Sequence, residues 1–164
     1  MPLLERLLPA PLHIAGLRLA HAVRLRWWRL SGRRVRGCRV LVLDVGERVL
    51  LIRHSYGSGE WMLPGGGLGA SEDPESGALR EVAEETAVHL HAVVPLGRID
   101  DPLSRHETHL IAGWTKAAAP RPDRREIIEA AFFAADALPE GLAPRLAERL
   151  PGWITAAASA HPER

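Results

Sequence analysis

With 164 residues, of which 46% are hydrophobic and 25% are charged, this chain has the composition of a single soluble globular domain. Its net charge of +1 creates no overall field that favours nucleic acid or an anionic membrane, so we expect no DNA partner. The single cysteine, Cys38, excludes an internal disulfide and a cysteine-rich zinc site, and its apolar surroundings predict a buried, inert thiol. Because we find neither a membrane-length apolar stretch nor a cleavable leader, we expect a cytoplasmic protein.

A basic amphipathic helix is predicted near the start of the chain. Over residues 12–30, apolar side chains recur at three- and four-residue steps with arginines between them. Such a helix either lies on a membrane or a partner, or packs on its own domain or across a homodimer. We favour the second interpretation, because Ala15, Leu19 and Val23 are spaced to dock on a neighbouring surface. A Ser-Gly-Arg-Arg break separates this extension, residues 1–32, from the rest of the chain.

The segments after this break are mostly short apolar runs typical of β-strands. The first two, Val35 to Asp44 and Arg48 to His54, are joined by a tight turn, which predicts a hairpin. Trp61 to Leu63 is predicted as a short strand, with Trp61 in the core. The further predicted strands are Val88 to Arg98, Glu107 to Lys116 and Ile127 to Ala134, with loops at Asp100 to Arg105 and Ala119 to Arg125. The last predicted elements are a short helix, Ala143 to Leu150, and a frayed tail from Thr155.

The stretch from Trp61 to Val88 combines a glycine-dense loop, a helix start at Asp73-Pro74 and a carboxylate-rich helix. At about 100° per residue, Glu81, Glu84 and Glu85 crowd one stripe of that helix. Four other side chains share the face that we expect to be buried: Leu79, Val82, Ala83 and Thr86. Arg80 precedes Glu84 by four residues, so the two can pair along the helix.

Three carboxylates on one helical face repel one another unless a cation lies among them. The all-oxygen cluster suits Mg²⁺, which normally keeps several waters and shares its site with substrate phosphates. The alternative is a solvated acidic face with one weak salt bridge, which is the commoner meaning of an isolated pattern of this kind. The preceding loop favours the metal, because consecutive glycines let the backbone approach a ligand and a helix N-terminus, where anions are favoured, follows.

The same residues resemble a known family motif. Gly66, Glu72 and the run from Arg80 to Val88 match the Nudix box, G-x5-E-x7-R-E-U-x-E-E-x-G-U, in which U is aliphatic. One position differs, because Ala87 stands where the family normally has glycine and the helix must end without its usual residue. The resemblance implies an α+β (α/β) sandwich, with a mixed β-sheet between helices, over residues 33–154. Residues 155–164 would be a flexible tail.

The resemblance also implies an activity and a site. Members hydrolyse a diphosphate linkage in a nucleoside diphosphate joined to another moiety, with Mg²⁺, for which Mn²⁺ can substitute. The implied metal ligands are Glu81, Glu84 and Glu85, helped by the carbonyl of Gly66, and two of them, Glu84 and Glu85, are also our catalytic candidates. Arg80 would orient the glutamates, which makes it a further catalytic candidate.

The family often draws one more glutamate, as ligand or general base, from well after the box. Glu126 is our catalytic candidate for this role and Glu129 is the reserve, although either can equally be an exposed charge at a strand edge. Glu72 is expected to help at the helix start rather than to bind metal directly.

The substrate stays open at this stage. Pro102 lies near the position of a proline in members that cleave ADP-ribose, but loop prolines are common. Arg53 either reaches a substrate phosphate or is a plain surface arginine. The residues that we expect to shape specificity, without ranking them, are Tyr56, Arg98, Asp100, Asp101 and the loop Arg121 to Arg125.

Two other functions remain as alternatives. The first is a Nudix-fold binding or sensor module that recognises a nucleotide without cleaving it. Such a module has no need to keep the complete set Arg80, Glu81, Glu84 and Glu85, so the intact set favours the enzyme. The second is an RNA-cap hydrolase, against which the lack of an obvious basic and aromatic surface counts.

Overall fold

The computed structural model describes residues 35–99, 106–122, 124 and 126–162. Its centre is a five-stranded mixed sheet with the strand order β3-β4-β1-β2-β5. The strands are β1 (Val35–Leu43), β2 (Val49–His54), β3 (Ala92–Ile99), β4 (His106–Trp114) and β5 (Ile127–Phe133). The helices are α1 (Pro74–Thr86) and α2 (Pro144–Ala160). Strands β1 and β4 are parallel and the other neighbouring pairs are antiparallel, which confirms the predicted hairpin of β1 and β2.

The sheet is buried on both faces, because the side chains of β1 alternate between two hydrophobic clusters. Val40 and Val42 point to the cluster that includes Ala78 and Val82 of α1. The other cluster contains Leu41, Leu43 and, from α2, Leu146, Leu150 and Ala157. The helices therefore lie on opposite faces of the sheet, and the predicted sandwich of a mixed sheet between helices is confirmed.

Cys38 is buried as predicted, with 1% of its surface exposed. Burial raises the pKa of this thiol above its usual value. The thiol is therefore protonated and inert at neutral pH, in agreement with the expectation from its apolar neighbours.

Two strand predictions need correction. β3 begins at Ala92 rather than Val88, and Val88 is instead buried in the cluster beneath α1, just after the end of that helix. Trp61 to Leu63 does not form a strand. Instead, Met62 makes an isolated bridge to Ile52, and Trp61 makes one to Leu142. Trp61 is nevertheless buried, as predicted.

The C-terminal helix is longer than predicted. It continues through Pro151 to Ala160, so its predicted end at Leu150 and a frayed tail beginning at Thr155 are both wrong. Burial of Ala157, with Trp153 and Ile154 packed against the same cluster, gives the second half of the helix an apolar face on the sheet. Tertiary packing therefore outweighs the local cost of an interior proline.

Several predictions lie outside the described residues. They are the helix at 12–30, the extension 1–32 with its possible homodimer contact, and the loop at 100–105 that contains Pro102. Among the described helices, none is long and apolar enough to cross a membrane.

Candidate active site

Helix α1 begins where the sequence predicts. Asp73 is its N-cap, and the Asp73 carboxylate accepts a hydrogen bond from the backbone N–H of Ser76 at 3.0 Å. Pro74 occupies the first turn, where a missing N–H is tolerated. The cap fixes the entry angle of the helix directly after the glycine-rich loop.

The helix ends in an unusual conformation for its residue. Ala87 has φ 55° and ψ 20°, in the left-handed region, and its N–H donates to the carbonyl of Ala83 at 3.0 Å. This is the turn that a glycine at the end of a helix makes without steric strain. The expectation that the helix ends without its usual residue is confirmed, because alanine adopts the glycine conformation here.

The buried face of α1 is rotated from the predicted one. Leu79 was expected to be buried but is 41% exposed, whereas Ala78 is fully buried beside Val82. On the helical wheel, the buried stripe has moved towards Glu85, which is only 8% exposed. The three carboxylates therefore differ in environment, and Glu85 belongs to the buried face rather than the solvated one.

Glu85 is held beneath the glycine loop. Its carboxylate accepts a hydrogen bond from the backbone N–H of Gly65 at 2.9 Å. Burial raises the pKa of Glu85 to about 8, although the Gly65 N–H and the charge of Arg39 oppose that shift. Nearby Glu81 and Glu126 raise the pKa further. Glu85 is thus a buried acid, and a cation placed beside it would stabilise its charged form.

Glu81 lies against the next glycine. A Cβ added at Gly66 would be 2.5–2.6 Å from the Glu81 carboxylate atoms, so only glycine leaves room for this carboxylate. The carbonyl of Gly66 accepts a hydrogen bond from the Cys38 N–H at 2.9 Å, which fixes the loop against β1. Burial raises the pKa of Glu81, and Arg80 lowers it.

Arg80 connects the acidic residues. Its guanidinium binds both carboxylate oxygens of Glu72, at 2.9 and 3.0 Å. The same guanidinium contacts Glu81 at 2.8 Å and Glu84 at 3.3 Å. Glu72 also accepts the backbone N–H of Gly69 at 2.8 Å, and with Arg80 this holds the pKa of Glu72 below its usual value. Glu72 therefore links the loop to the helix, while Glu84 is the most exposed of the three helix carboxylates.

The two later glutamates occupy different places. Glu126 accepts a hydrogen bond from the Tyr56 hydroxyl, and its charge acts on both Glu81 and Glu85. Glu129 instead pairs with Arg53 across β2 and β5 at 3.2 Å. The fold places Glu126 within electrostatic range of the carboxylate cluster formed by Glu81, Glu84 and Glu85, and it leaves Glu129 in an ion pair at the sheet edge.

Of the other residues singled out for specificity, Asp100, Asp101 and Arg125 lie outside the described residues, whereas Arg98 and Arg121 are described and exposed. Arg98 pairs with Glu107 at 3.2 Å. The N–H of Arg121 donates to the carbonyl of Thr86 at 2.7 Å, which ties the following loop to the end of α1.

The donor set fits a divalent cation. Glu81 and Glu85 are carboxylates with raised pKa values, and a nearby cation would relieve their desolvation and mutual repulsion. Within residues 35–99, 106–122, 124 and 126–162, no three acidic or histidine side chains already converge as a metal site. The guanidinium of Arg80 contacts one carboxylate oxygen each of Glu81 and Glu84, so a bound ion would share these two side chains with it.

Sequence reasoning missed two contributors. Gly65 donates to Glu85, and its positive φ of 135° is a conformation that favours glycine. The glycine run was a usable signal for this role. Arg39 donates to the carbonyl of Gly65 at 2.8 Å, but a single arginine within a strand carries no signal of its own.

Comparison with known proteins agrees with the Nudix resemblance of the glycine loop and the acidic helix. The family model described as NUDIX domain matches residues 33–155. The chain belongs to the Nudix family. An RNA pyrophosphohydrolase from Azorhizobium caulinodans is 36% identical over 69 residues, which cover 42% of this chain and 40% of that relative. The chain thus spans less than half the length of that curated relative.

Solved Nudix structures share the fold. A MutT NUDIX hydrolase from Burkholderia pseudomallei superimposes with a TM-score of 0.59 and 25% identity, over 73% of this chain and 97% of that one. An ADP-ribose pyrophosphatase from Streptococcus suis superimposes with a TM-score of 0.62 and 22% identity, over 80% of this chain and 96% of that one. The Nudix assignment therefore rests on both sequence and architecture.

Proposed function

We propose that this Nudix protein is a Mg²⁺-dependent pyrophosphohydrolase. Its substrate would be a nucleoside diphosphate linked through the diphosphate to another moiety. The observation that carries the proposal is that two largely buried carboxylates, Glu85 and Glu81, lie against the glycine loop and both have raised pKa values. Such carboxylates destabilise the metal-free protein when charged, which is expected of residues selected to bind a cation.

In this proposal, the ion is held by Glu81, Glu84 and Glu85 with the carbonyl of Gly66. When bound, Mg²⁺ or Mn²⁺ would neutralise phosphate charge and lower the pKa of a bound water. Arg80 keeps the carboxylates oriented through its contacts with Glu81 and Glu84 and its fork to Glu72. Phosphoryl transfer depends mostly on such positioning and charge neutralisation.

Glu126 is proposed as the general base. A water oxygen attacks one phosphorus of the diphosphate, and Glu126 accepts the proton that this water loses. The bond from that phosphorus to the bridging oxygen breaks, and the leaving phosphate keeps the electron pair. Support comes from the influence of Glu126 on Glu81 and Glu85, whereas Glu129 is engaged by Arg53.

The substrate class is proposed as a small nucleotide-type diphosphate. The Streptococcus suis neighbour is an ADP-ribose pyrophosphatase, and the Azorhizobium caulinodans relative is an RNA pyrophosphohydrolase. Both names point to pyrophosphate bonds attached to a nucleoside, but to substrates of very different size. ADP-ribose and an RNA with a 5′-terminal triphosphate are therefore the two ends of the panel to test.

The test is a turnover assay on that panel together with nucleoside di- and triphosphates, nucleotide sugars and dinucleoside polyphosphates. Each compound is assayed with Mg²⁺, with Mn²⁺ and with excess chelator. Glu85→Gln keeps the shape of the side chain and removes its charge, and Glu148→Gln makes the same change at an exposed position of α2. We expect metal-dependent cleavage of one class, lowered at least about 100-fold by Glu85→Gln and unchanged by Glu148→Gln. Tight binding of one compound without turnover would instead support a nucleotide sensor module.

A further inference from the structure

Tyr56 and Glu126 lie 70 residues apart in the chain but meet in the folded protein, where the charge of Glu126 acts on Glu81 and Glu85. The Tyr56 hydroxyl donates a hydrogen bond to one carboxylate oxygen of Glu126. The Tyr56 ring packs beside His54, with ring centroids 4.9 Å apart and planes inclined by 35°. The phenol is thus supported on one side by a neighbouring ring and on the other by its acceptor.

The backbone around this contact is also fixed. The N–H of Ser55 donates to the carbonyl of Glu126 at 2.8 Å. Between β2 and β5 the register shifts, because Arg53 pairs with Glu129 while His54 pairs with Ile127. Such a bulge re-aims the side chains beside it and is frequent next to active sites. The bulge here lies at the end of β2, shortly before Tyr56, and at the start of β5, shortly after Glu126.

The charged carboxylate of Glu126 is held near other negative charges, which disfavours its position. Its charge raises the pKa of both Glu81 and Glu85, so all three carboxylates repel one another when ionised. A flexible glutamate side chain would turn towards solvent to relieve that repulsion, unless a donor restrained it. Tyr56 supplies a neutral donor that restrains Glu126 without cancelling its charge.

We propose that Tyr56 is a positioning residue, whose phenol holds Glu126 beside Glu81 and Glu85 where the base of the reaction is needed. This inference rests on the proposed hydrolase function for its catalytic meaning. The role of Tyr56 differs from that of an aromatic side chain that stacks on a substrate base. In the stacking role the ring matters and the hydroxyl does not.

The first experiment separates ring from hydroxyl and tests whether Tyr56 acts through Glu126. On the substrate that the panel identifies, we expect Tyr56→Phe to lower kcat about tenfold with KM within about twofold, as for loss of one hydrogen bond to a charged group. In the Glu126→Gln background, Tyr56→Phe should lower kcat no further, because the group it positions is gone. Equal losses of kcat in the two backgrounds would overturn the proposal.

A second outcome would also overturn it. If Tyr56→Phe retains full kcat while Tyr56→Ala raises KM, then Tyr56 contacts substrate through its ring. Thermal unfolding midpoints of all variants show whether any loss of kcat comes from unfolding.

The second experiment needs no turnover. Mn²⁺ alone is titrated into each variant, and free Mn²⁺ is measured by electron paramagnetic resonance. We expect Tyr56→Phe to weaken Mn²⁺ binding about threefold in the presence of Glu126, whose charge then moves away from the cluster, and to have no effect with Glu126→Gln. An identical effect in both backgrounds, or none in either, would refute the positioning role. Failure of every panel compound would count against the hydrolase function, while this titration would still decide the role of Tyr56.

Discussion

The carboxylate of Glu85 lies buried at 2.9 Å from the backbone N–H of Gly65, and this contact joins the helix to the loop in front of it. A single backbone donor does not compensate for the loss of water around a charged carboxylate, so the pKa of Glu85 is raised to about 8. The site is consequently most stable either with Glu85 protonated or with a cation bound. Metal binding and pH should therefore be linked in this protein.

The first prediction concerns stability against pH. The folded-state pKa of Glu85 lies above its usual 4.5, so protonated Glu85 favours the folded protein. This contribution to the free energy of unfolding is fully present below about pH 4.5 and is lost as pH rises towards 8. Relative to Glu85→Gln, the metal-free wild-type protein should lose on the order of 4 kcal/mol of unfolding free energy between pH 5 and 8. Urea unfolding in chelator at several pH values measures this difference.

Glu148→Gln is the control for that series, since Glu148 is exposed on α2. The control should follow the wild-type pH dependence. Parallel curves for wild type and Glu85→Gln would contradict the assignment of the shift to Glu85. Adding Mg²⁺ at pH 8 should raise the wild-type midpoint but not that of Glu85→Gln.

The second prediction separates two adjacent glycines. A Cβ at Gly65 would lie 2.3 Å from the Cys38 carbonyl oxygen, in a backbone with φ of 135°. Gly65→Ala should therefore destabilise the protein by more than about 3 kcal/mol, because backbone must move. The three atoms nearest to a Cβ at Gly66 all belong to the flexible carboxylate of Glu81, which can move aside, so Gly66→Ala should change stability by less than about 1 kcal/mol.

Gly66→Ala should nevertheless weaken metal binding, because it displaces the Glu81 carboxylate. We expect the Mg²⁺ concentration for half-maximal activity to rise at least about tenfold, measured beside thermal unfolding of the same samples. Normal metal dependence in a folded Gly66→Ala variant would show that Glu81 does not need this position.

The third prediction concerns the guanidinium fork of Arg80. Lysine keeps the charge but cannot hold both oxygens of Glu72 and also contact Glu81. Arg80→Lys should lower kcat about 10- to 100-fold with a smaller change in KM. Arg48→Lys is the matched control, because Arg48 forms its ion pair with Asp44 in the β1–β2 hairpin. Similar losses for both lysine variants would argue against a special role of the fork.

The fourth prediction concerns the left-handed Ala87. Alanine with φ of 55° carries a steric penalty that glycine avoids. Ala87→Gly should therefore stabilise the protein by about 1 kcal/mol, seen as a higher thermal midpoint at unchanged catalytic rate. Ala83→Gly makes the same alanine-to-glycine change within the helix and should destabilise the protein. A lower midpoint for Ala87→Gly would show that the turn is not strained.

Much of the fold and part of the site could be predicted from the spacing of residues that are close in the sequence. The cap at Asp73, the start of α1 and the hairpin of β1 and β2 depend on short-range hydrogen bonds and side-chain periodicity, which neighbouring residues determine. The ion pair of Arg80 with Glu84 was predictable for the same reason, since four residues make one helical turn. The left-handed turn at Ala87 was also predictable, because the Nudix motif specifies which position ends the helix.

Tertiary structure alone decided which carboxylates are buried. The helical wheel placed Glu81, Glu84 and Glu85 together, but the sheet packs on the side that includes Ala78, so Glu85 is enclosed and Leu79 is not. Tertiary packing also determined the length of α2, because burial of Ala157 stabilises the part of the helix that follows Pro151. Burial depends on the partner surface, which local periodicity does not contain.

The chain by itself determined a Nudix domain with an acidic helix after a glycine loop. Only the tertiary structure distinguished Glu126 from Glu129, because it places the charge of Glu126 where it acts on Glu81 and Glu85 and pairs Glu129 with Arg53. It also joined Tyr56 to Glu126 across 70 residues. The energy of a charged group depends on its distance from other charges and from water, and those distances exist only once the chain has folded.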